Sequence, residues 1–129
     1  MDARSERNLI GVHPDLITLI RAVDTSFGHE IIVTEGVRTF ERQAQLYAAK
    51  ASQTMNSRHL TGHAVDLAVK VGGQVVWTWH IYAQLGAFVK EKAKELGIPI
   101  VWGGDFLTLK DGPHFELPRN AYFEDRKTA

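Results

Sequence analysis

Two short segments of the chain carry the side chains best suited to chemistry. Residues 57–66 read SRHLTGHAVD, and residues 111–115, near the C-terminal end, read DGPHF. Together they offer two imidazoles and a carboxylate as zinc ligands, plus one further carboxylate: His59, His114, Asp66 and Asp111. Three protein ligands leave the fourth position of a tetrahedral zinc ion open, which distinguishes catalytic sites from structural ones. The pattern therefore predicts a catalytic metal site.

Two predicted strands have to position these ligands. Residues 63–71 read as a strand whose apolar side chains point into the core, and Asp66 lies on the opposite face. The same alternation in residues 113–117 places His114 on the polar face of a final strand. His59 lies in the loop before the first strand, far enough from Asp66 for the loop to fold back onto the same ion.

The residues alone leave two interpretations of Asp66 open. A buried carboxylate without a partner is costly, so Asp66 needs either a metal or a cation. The first interpretation is the His-Asp-His site, and the second is an ion pair with Arg38 or Arg58. The remaining histidines that we considered are predicted to be surface or cap residues: His13, His29, His63 and His80.

The other elements follow from periodicity and from turn residues. An extended lead-in over residues 1–13 is expected before a helix at 14–26 and a buried strand at 30–35. Thr39 is predicted to cap a second helix, and Gly72-Gly73 marks a hairpin. Apolar stripes predict the buried faces of this helix and of a long helix at 80–96: Phe40, Ala44, Tyr47 and Ala51, then Ile81, Leu85, Phe88, Val89 and Leu96.

The order of these elements predicts one α+β domain over residues 1–129. Short strands at 98–102 and 113–117 complete a small antiparallel sheet, with the helices packed on one face. A polar tail over residues 118–129 is expected to cover the sheet edge or to fray.

Composition narrows the classes of partner. The formal net charge is zero, which argues against nucleic acid or an anionic membrane as the partner. The chain has no cysteine, so any metal site must use nitrogen and oxygen ligands. We expect no signal peptide, no membrane span and no calcium loop. Synthesis in the cytoplasm is therefore expected.

The ligand pattern resembles a known family. Ser57-x-His59-x-x-Gly62-x-Ala64-x-Asp66, followed by Asp111-x-x-His114, is similar to the D-Ala-D-Ala carboxypeptidase-like zinc peptidases. Within that family it looks most like phage endolysins with L-alanyl-D-glutamate peptidase activity. Residues 36–43 (GVRTFERQ) and 102–106 (WGGDF) also resemble family segments, and the resemblance runs from about residue 12 to residue 118. The Asp at 111, where the dipeptidase branch has Glu, favours the endolysin branch.

The resemblance implies a fold and a role for each residue. The fold would be the one shared by Hedgehog domains and DD-peptidases. One zinc ion would be held by His59, Asp66 and His114, and it would lower the pKa of its bound water to about 7. Asp111 would be the general base, and Arg38 would bind a carboxylate or the developing oxyanion. Further candidates for hydrogen bonds to the ligands or to the substrate are Ser57, Gln43 and Asp105.

The function implied is a zinc endopeptidase that cuts the L-Ala–D-Glu bond of the peptidoglycan stem peptide and lyses the host for phage release. Such an enzyme, expected to be a monomer, would act in the periplasm and would need a membrane pore such as a holin to reach it. One alternative is a D-Ala-D-Ala carboxypeptidase or dipeptidase on the same scaffold. Another is a non-catalytic wall-binding or virion module that keeps the metal for stability.

Overall fold

The computed structural model describes residues 1–52 and 54–123. The helices and strands follow in chain order: α1 (Ala3–Asn8), α2 (Pro14–Ser26), β1 (Glu30–Glu35), α3 (Phe40–Ala48), β2 (Ala64–Val71), β3 (Gln74–Val76), α4 (Trp79–Leu96), β4 (Val101–Trp102) and β5 (His114–Glu116). Two short 3-10 helices, Arg58–Thr61 and Gly103–Asp105, lie in the connections before β2 and after β4. The predicted alternation of helices and short strands is confirmed.

The strands form one antiparallel sheet in the order β1-β2-β5-β4, and β3 pairs with the distal half of β2. The hairpin between β2 and β3 turns at Gly72 and Gly73, whose positive φ angles of 59° and 81° suit a tight two-residue turn. The central strand buries Val65, Leu67 and Val69 as predicted, whereas Val71, beside the hairpin, is 36% exposed. The central position of β2 places Asp66 in the middle of the sheet.

The hydrophobic core lies between the sheet and two helices. The long helices α2 and α4 pack against each other and cover one face of the sheet. Their inward side chains are fully or almost fully buried: Leu16, Leu19, Ile20 and Val23 from α2, and Leu85, Val89 and Ala93 from α4. The α+β class predicted from the element order is therefore confirmed. Within the described residues, no helix combines the length and the apolarity needed to cross a bilayer.

The predicted extended lead-in is wrong, because residues 3–8 form helix α1. The Asp2 carboxylate accepts a hydrogen bond from the Ser5 backbone N–H at 2.8 Å and caps the helix. The Ser5 hydroxyl accepts from the Val33 N–H at 2.9 Å, and the Asn8 amide donates to the Val33 carbonyl at 2.8 Å. Since β1 is an edge strand, its outward backbone groups need partners. Helix α1 supplies partners for two of these groups, the N–H and the carbonyl of Val33. A local sequence pattern does not reveal such long-range contacts.

The predicted buried face of α3 is also wrong. Phe40 is 66% exposed and Tyr47 is 50% exposed, whereas the buried residue of the helix is Gln43. Helix α3 borders a polar cavity rather than the apolar core. Its inner face therefore carries the Gln43 amide, which hydrogen-bonds to polar groups there. The Thr39 cap is confirmed, because the Thr39 hydroxyl accepts from the Arg42 N–H at 3.0 Å.

The predicted stripe of α4 is partly right. Leu85 and Val89 are fully buried, but Leu96 is 44% exposed, and Ile81 and Phe88 are half-buried. The remaining buried positions of the helix are Tyr82, Gly86 and Ala93. A Cβ at Gly86 would lie 2.6 Å from the Trp102 ring, so this glycine lets the indole pack against the helix. The observed stripe thus includes Tyr82 and Gly86, and Trp102 packs against the helix at Gly86.

The predicted tail lies partly outside the described residues, which end at 123. In the described part, the Tyr122 hydroxyl donates to the Asp15 carboxylate at 2.7 Å. The Tyr122 carbonyl accepts from the Arg58 guanidinium at 3.1 Å. The start of the tail therefore packs back onto α2 and onto the segment that carries His59.

Candidate metal centre and active site

The three predicted ligands converge on one face of the sheet. In the antiparallel pairing of β2 with β5, Asp66 lies directly opposite His114, so their side chains are neighbours on the same face. The Asp66 Oδ1 atom is 3.2 Å from His59 Nε2 and 3.2 Å from His114 Nδ1. One ligand atom from each of the three residues lies within 4.8 Å of the others. The group could therefore hold a metal ion, and no other such group is found in the described parts of the chain.

His59 is oriented by the backbone around it. Its Nδ1–H donates to the Gly36 carbonyl at 2.8 Å, so Nε2 is the ring nitrogen that faces the site. A Cβ at Gly36 would lie 1.8 Å from the Asn8 carbonyl oxygen, so the close approach of α1 requires a glycine there. Gly62 has a φ of 78° and turns the chain from the 3-10 helix into β2. The loop thus returns His59 to the polar face of the sheet.

His114 lies between two carboxylates. Its Nδ1 faces Asp66, and its Nε2 donates to the Glu116 Oε1 atom at 2.7 Å. Burial by itself lowers the pKa of His114, but the hydrogen bonds to Asp66 and Glu116 outweigh it and raise the pKa to about 9. Without a metal, His114 is therefore an imidazolium at neutral pH. Strand alternation already places Glu116 on this face, but the sequence alone assigns it no role.

Asp66 keeps its negative charge. Burial by itself raises its pKa, but the hydrogen bonds from His114 and His59 outweigh burial and hold the pKa well below the usual range. Of the two cations considered as partners, Arg38 approaches to 3.9 Å from Oδ2. Arg58 instead donates to the Leu117 carbonyl at 2.9 and 3.1 Å. An ionised carboxylate and two imidazoles, with their ligand atoms this close, fit the donor set that zinc accepts.

Asp111 lies in the turn that leads into β5. Its backbone N–H donates to the Gly103 carbonyl at 2.9 Å, and its own carbonyl accepts from the His114 N–H at 3.1 Å. A Cβ at Gly103 would lie 2.2 Å from the Asp111 carbonyl oxygen, so this turn requires glycine opposite it. Loss of water around the carboxyl raises the pKa of Asp111, and the charge of Asp66 raises it further. The turn thus holds a carboxyl group in the same cavity as the three candidate ligands.

Arg38 is held in place by Glu35 and Gln43. Its Nε and Nη2 atoms donate to the Glu35 carboxylate at 2.9 and 2.5 Å, and its Nη1 donates to Gln43 Oε1 at 2.7 Å. The Gln43 amide in turn donates to the Ser52 hydroxyl and to the Thr54 carbonyl at 2.9 and 2.5 Å. Sequence reasoning missed Glu35, although its position at the end of β1, three residues before Arg38, was a usable signal.

These residues line one cavity of about 610 Å³. The three ligands, Asp111 and Arg38 all contribute to its surface, together with other polar and apolar groups that include Arg42, Leu46, Phe106 and Leu109. Ser57 also lines the cavity, and its hydroxyl accepts from the His59 N–H at 3.2 Å. Asp105 is not among the lining residues, and its carboxylate pairs with Lys90 Nζ at 2.5 Å. The fold therefore brings the predicted site residues together with the exception of Asp105. Gln43 does not line the cavity itself but contacts Arg38, which does.

The other histidines have varied surroundings. His13 caps α2, because its Nδ1 accepts from the Asp15 N–H at 3.0 Å, and His29 and His80 are exposed, as predicted. His63 is only 6% exposed, so its prediction as a surface residue is wrong. It is buried because its ring packs beside the rings of His13 and Tyr122, and Tyr122 comes from the C-terminal segment.

Comparison with known proteins gives consistent matches. The model of the phage L-alanyl-D-glutamate peptidase family matches residues 1–118. The chain is 31% identical over 123 residues to the L-alanyl-D-glutamate peptidase of Escherichia phage T5, covering 92% of this chain and 88% of that protein. It is 39% identical over 100 residues to the enzyme of the same name from Listeria phage A118. That match covers 78% of this chain but 34% of the Listeria phage protein, so the chain spans about a third of its length.

A solved structure gives the same relationship at the level of the fold. The crystal structure of the L-Ala D-Glu endopeptidase ChiX from Serratia marcescens superposes with a TM-score of 0.87 at 50% sequence identity. The match covers 95% of this chain and 92% of ChiX. Since the family model spans nearly all of the described residues, the chain belongs to the phage L-alanyl-D-glutamate peptidase family.

Proposed function

We propose that this protein is a zinc-dependent endopeptidase that hydrolyses the L-Ala–D-Glu bond of the peptidoglycan stem peptide. The observation that carries the proposal is the convergence of His59, Asp66 and His114 in the cavity that Asp111 and Arg38 also line. Membership of a family named for this activity supports the choice of bond.

His59 Nε2, the Asp66 carboxylate and His114 Nδ1 would hold the ion. Zinc at this position would supply Lewis-acid polarisation of the scissile carbonyl and a water with a pKa lowered to about 7. His59 Nε2 and His114 Nδ1 already face Asp66, because each ring donates its other N–H to an acceptor on the protein. Little reorganisation of the side chains is therefore needed for binding.

Asp111 moves the protons of the reaction. Its carboxylate takes a proton from the attacking water and delivers it to the leaving amine nitrogen. Its raised pKa suits this exchange, since a carboxylate whose pKa is nearer the working pH accepts a proton from water more readily. Asp111 contributes no atom to the converging ligand group, so it stays available for this role.

Arg38 stabilises negative charge on the substrate. Glu35 and Gln43 accept three hydrogen bonds from the guanidinium, so it is already fixed beside the candidate ligands. A planar guanidinium in a fixed position suits a substrate carboxylate or the oxyanion that develops during hydrolysis. Because the arginine is ordered before substrate arrives, binding does not cost its side-chain entropy.

The biological role that follows is degradation of the host wall for phage release. In that role the enzyme acts as a monomer in the periplasm, after a membrane pore such as a holin gives it access. A D-Ala-D-Ala carboxypeptidase on the same scaffold would cut elsewhere in the stem, and a non-catalytic wall-binding module would cut nothing.

Digestion of purified sacculi, followed by mass spectrometry of the products, tests the proposal. We expect new N-terminal D-glutamate ends, and we expect a chelator to abolish them and added zinc to restore them. Release of free D-alanine from otherwise intact stems would instead identify a carboxypeptidase, and intact sacculi would identify a binding module. His59→Ala and His114→Ala should lower the zinc content, whereas His80→Ala, an exposed control, should not.

A further inference from the structure

We propose that Glu116 is a positioning residue that decides which nitrogen of His114 faces the metal. By accepting the Nε2–H, the Glu116 carboxylate turns Nδ1 of the ring towards Asp66 and His59. This inference rests on the proposed metal-dependent function. It gives a role to Glu116, which is neither one of the three predicted ligands nor the predicted general base.

The contact is built into the strand. His114 and Glu116 are two residues apart in β5, so both side chains lie on the same face of the sheet. The pairing with β2 places Glu116 opposite Ala64, whose small side chain leaves room beside the carboxylate. The side chains of His114 and Glu116 are only 10% and 19% exposed, so water competes weakly for their 2.7 Å hydrogen bond.

A carboxylate is the group that makes this choice definite. A neutral imidazole carries one N–H, and the hydrogen bond at one nitrogen decides which form is present. An ionised carboxylate can only accept, so it fixes the proton on Nε2 of His114. At His59 the Gly36 carbonyl, which also can only accept, fixes the proton on Nδ1. The two ligands thus present opposite nitrogens, each set by an acceptor.

Ring packing alone does not make the same choice. The His114 ring lies 5.2 Å from the His59 ring and 5.8 Å from the Phe106 ring, measured between centroids. These contacts restrict the plane of the imidazole, but they do not determine which nitrogen carries the proton. Glu116 contacts the nitrogen that does not face Asp66, so it is not one of the converging ligand atoms. Its role is therefore to orient a ligand.

The test is the Glu116→Gln variant, because a glutamine of the same size can donate as well as accept. Zinc affinity is measured by competition with a chromophoric chelator, and the state of His114 by ¹⁵N NMR of the imidazole. We expect a loss of affinity of about 10- to 100-fold. We also expect the zinc-loaded wild type to show a single His114 form protonated at Nε2, and the variant to lose it. Glu30→Gln, in the exposed first position of β1, is the matched control and should leave both unchanged.

The outcomes separate this inference from the proposed function. If the wild type binds zinc and Glu116→Gln binds it equally well with the same NMR form, the inference fails and the proposed function stands. If Glu116→Gln changes only the KM for the stem peptide, Glu116 contacts substrate, which also overturns the inference. A wild type that binds no zinc overturns both. If Glu116→Gln does not fold, Glu116→Asp replaces it, because its carboxylate lies one methylene further from His114. An unchanged zinc affinity of that variant would also contradict the proposal.

Discussion

Nη1 of Arg38 donates a 2.7 Å hydrogen bond to the side-chain amide of Gln43, the buried residue of α3. The same amide donates to Ser52 and Thr54, in a segment that also lines the cavity. One buried glutamine therefore links the arginine beside the candidate metal ligands to the neighbouring cavity wall.

We expect Gln43→Ala to lower kcat/KM for stem peptide by about 10-fold or more, because Arg38 loses one of its two anchors. The variant should bind zinc normally, since Gln43 touches no ligand. Its free energy of unfolding should fall by about 1–3 kcal/mol, the cost of leaving buried polar groups without partners. Steady-state kinetics, metal analysis and denaturant unfolding measure the three quantities. Gln45→Ala, on the exposed side of the same helix, should behave as wild type; equal activity of both variants would contradict the link to Arg38.

Asp111→Asn should keep both fold and zinc but lose about 10²- to 10⁴-fold in kcat, the usual contribution of a general base. The substitution preserves size and the backbone contacts to Gly103 and His114, and it removes only the proton-accepting carboxylate. Asp105→Asn is the control, because that carboxylate pairs with Lys90. Sacculus digestion with metal analysis checks both variants, and normal lysis by Asp111→Asn would show that another group moves the proton.

The metal-free protein should become less stable as the pH rises from about 6.5 to about 9. The pKa of His114 is raised from 6.5 to about 9 in the folded state, so the native protein binds more protons than the unfolded chain in this window. The stabilisation is fully present below pH 6.5 and is lost as the pH passes through 9, and its full size is at most about 3 kcal/mol.

Thermal unfolding in chelator across this range measures the pH effect. His114→Gln should remove the slope, whereas His80→Gln, which alters an exposed histidine, should keep it. A melting temperature of the metal-free wild type that is constant between these two pH values would refute the pairing of His114 with its two carboxylates. Zinc should bind more tightly as the pH rises through the same window, because it competes with the proton on His114.

Ser5→Ala should destabilise the protein by about 1–3 kcal/mol, because the Val33 N–H on the edge strand loses its buried acceptor. Ser26→Ala is the control: its hydroxyl makes an exposed hydrogen bond, and its loss should cost less than about 0.5 kcal/mol. Urea unfolding of both variants measures the difference. Equal stability of the two would mean that α1 does not support β1 through this contact.

The sequence by itself determined the parts of this protein that depend on local pattern. Alternating apolar residues predicted β2 and β5 and placed Asp66 and His114 on their polar faces, because strand side chains point to opposite sides in turn. The glycine turns and the main helices were also predicted correctly, since they too depend on neighbours in the chain. The ligand spacing then indicated the family, which the comparisons confirm.

Only the tertiary structure decided the contacts between segments that are distant in sequence. Helix α1 forms where Ser5 can serve the edge of β1, and α3 buries Gln43 because it packs against Arg38 rather than against the core. The orientation of the His114 ring likewise depends on contacts with Asp66 from another strand and with Glu116 beside it. Such choices depend on which donor meets which acceptor after folding. Hydrophobic periodicity identifies the side of an element that is buried in an apolar core, but it carries no information about the polar partners on the other side.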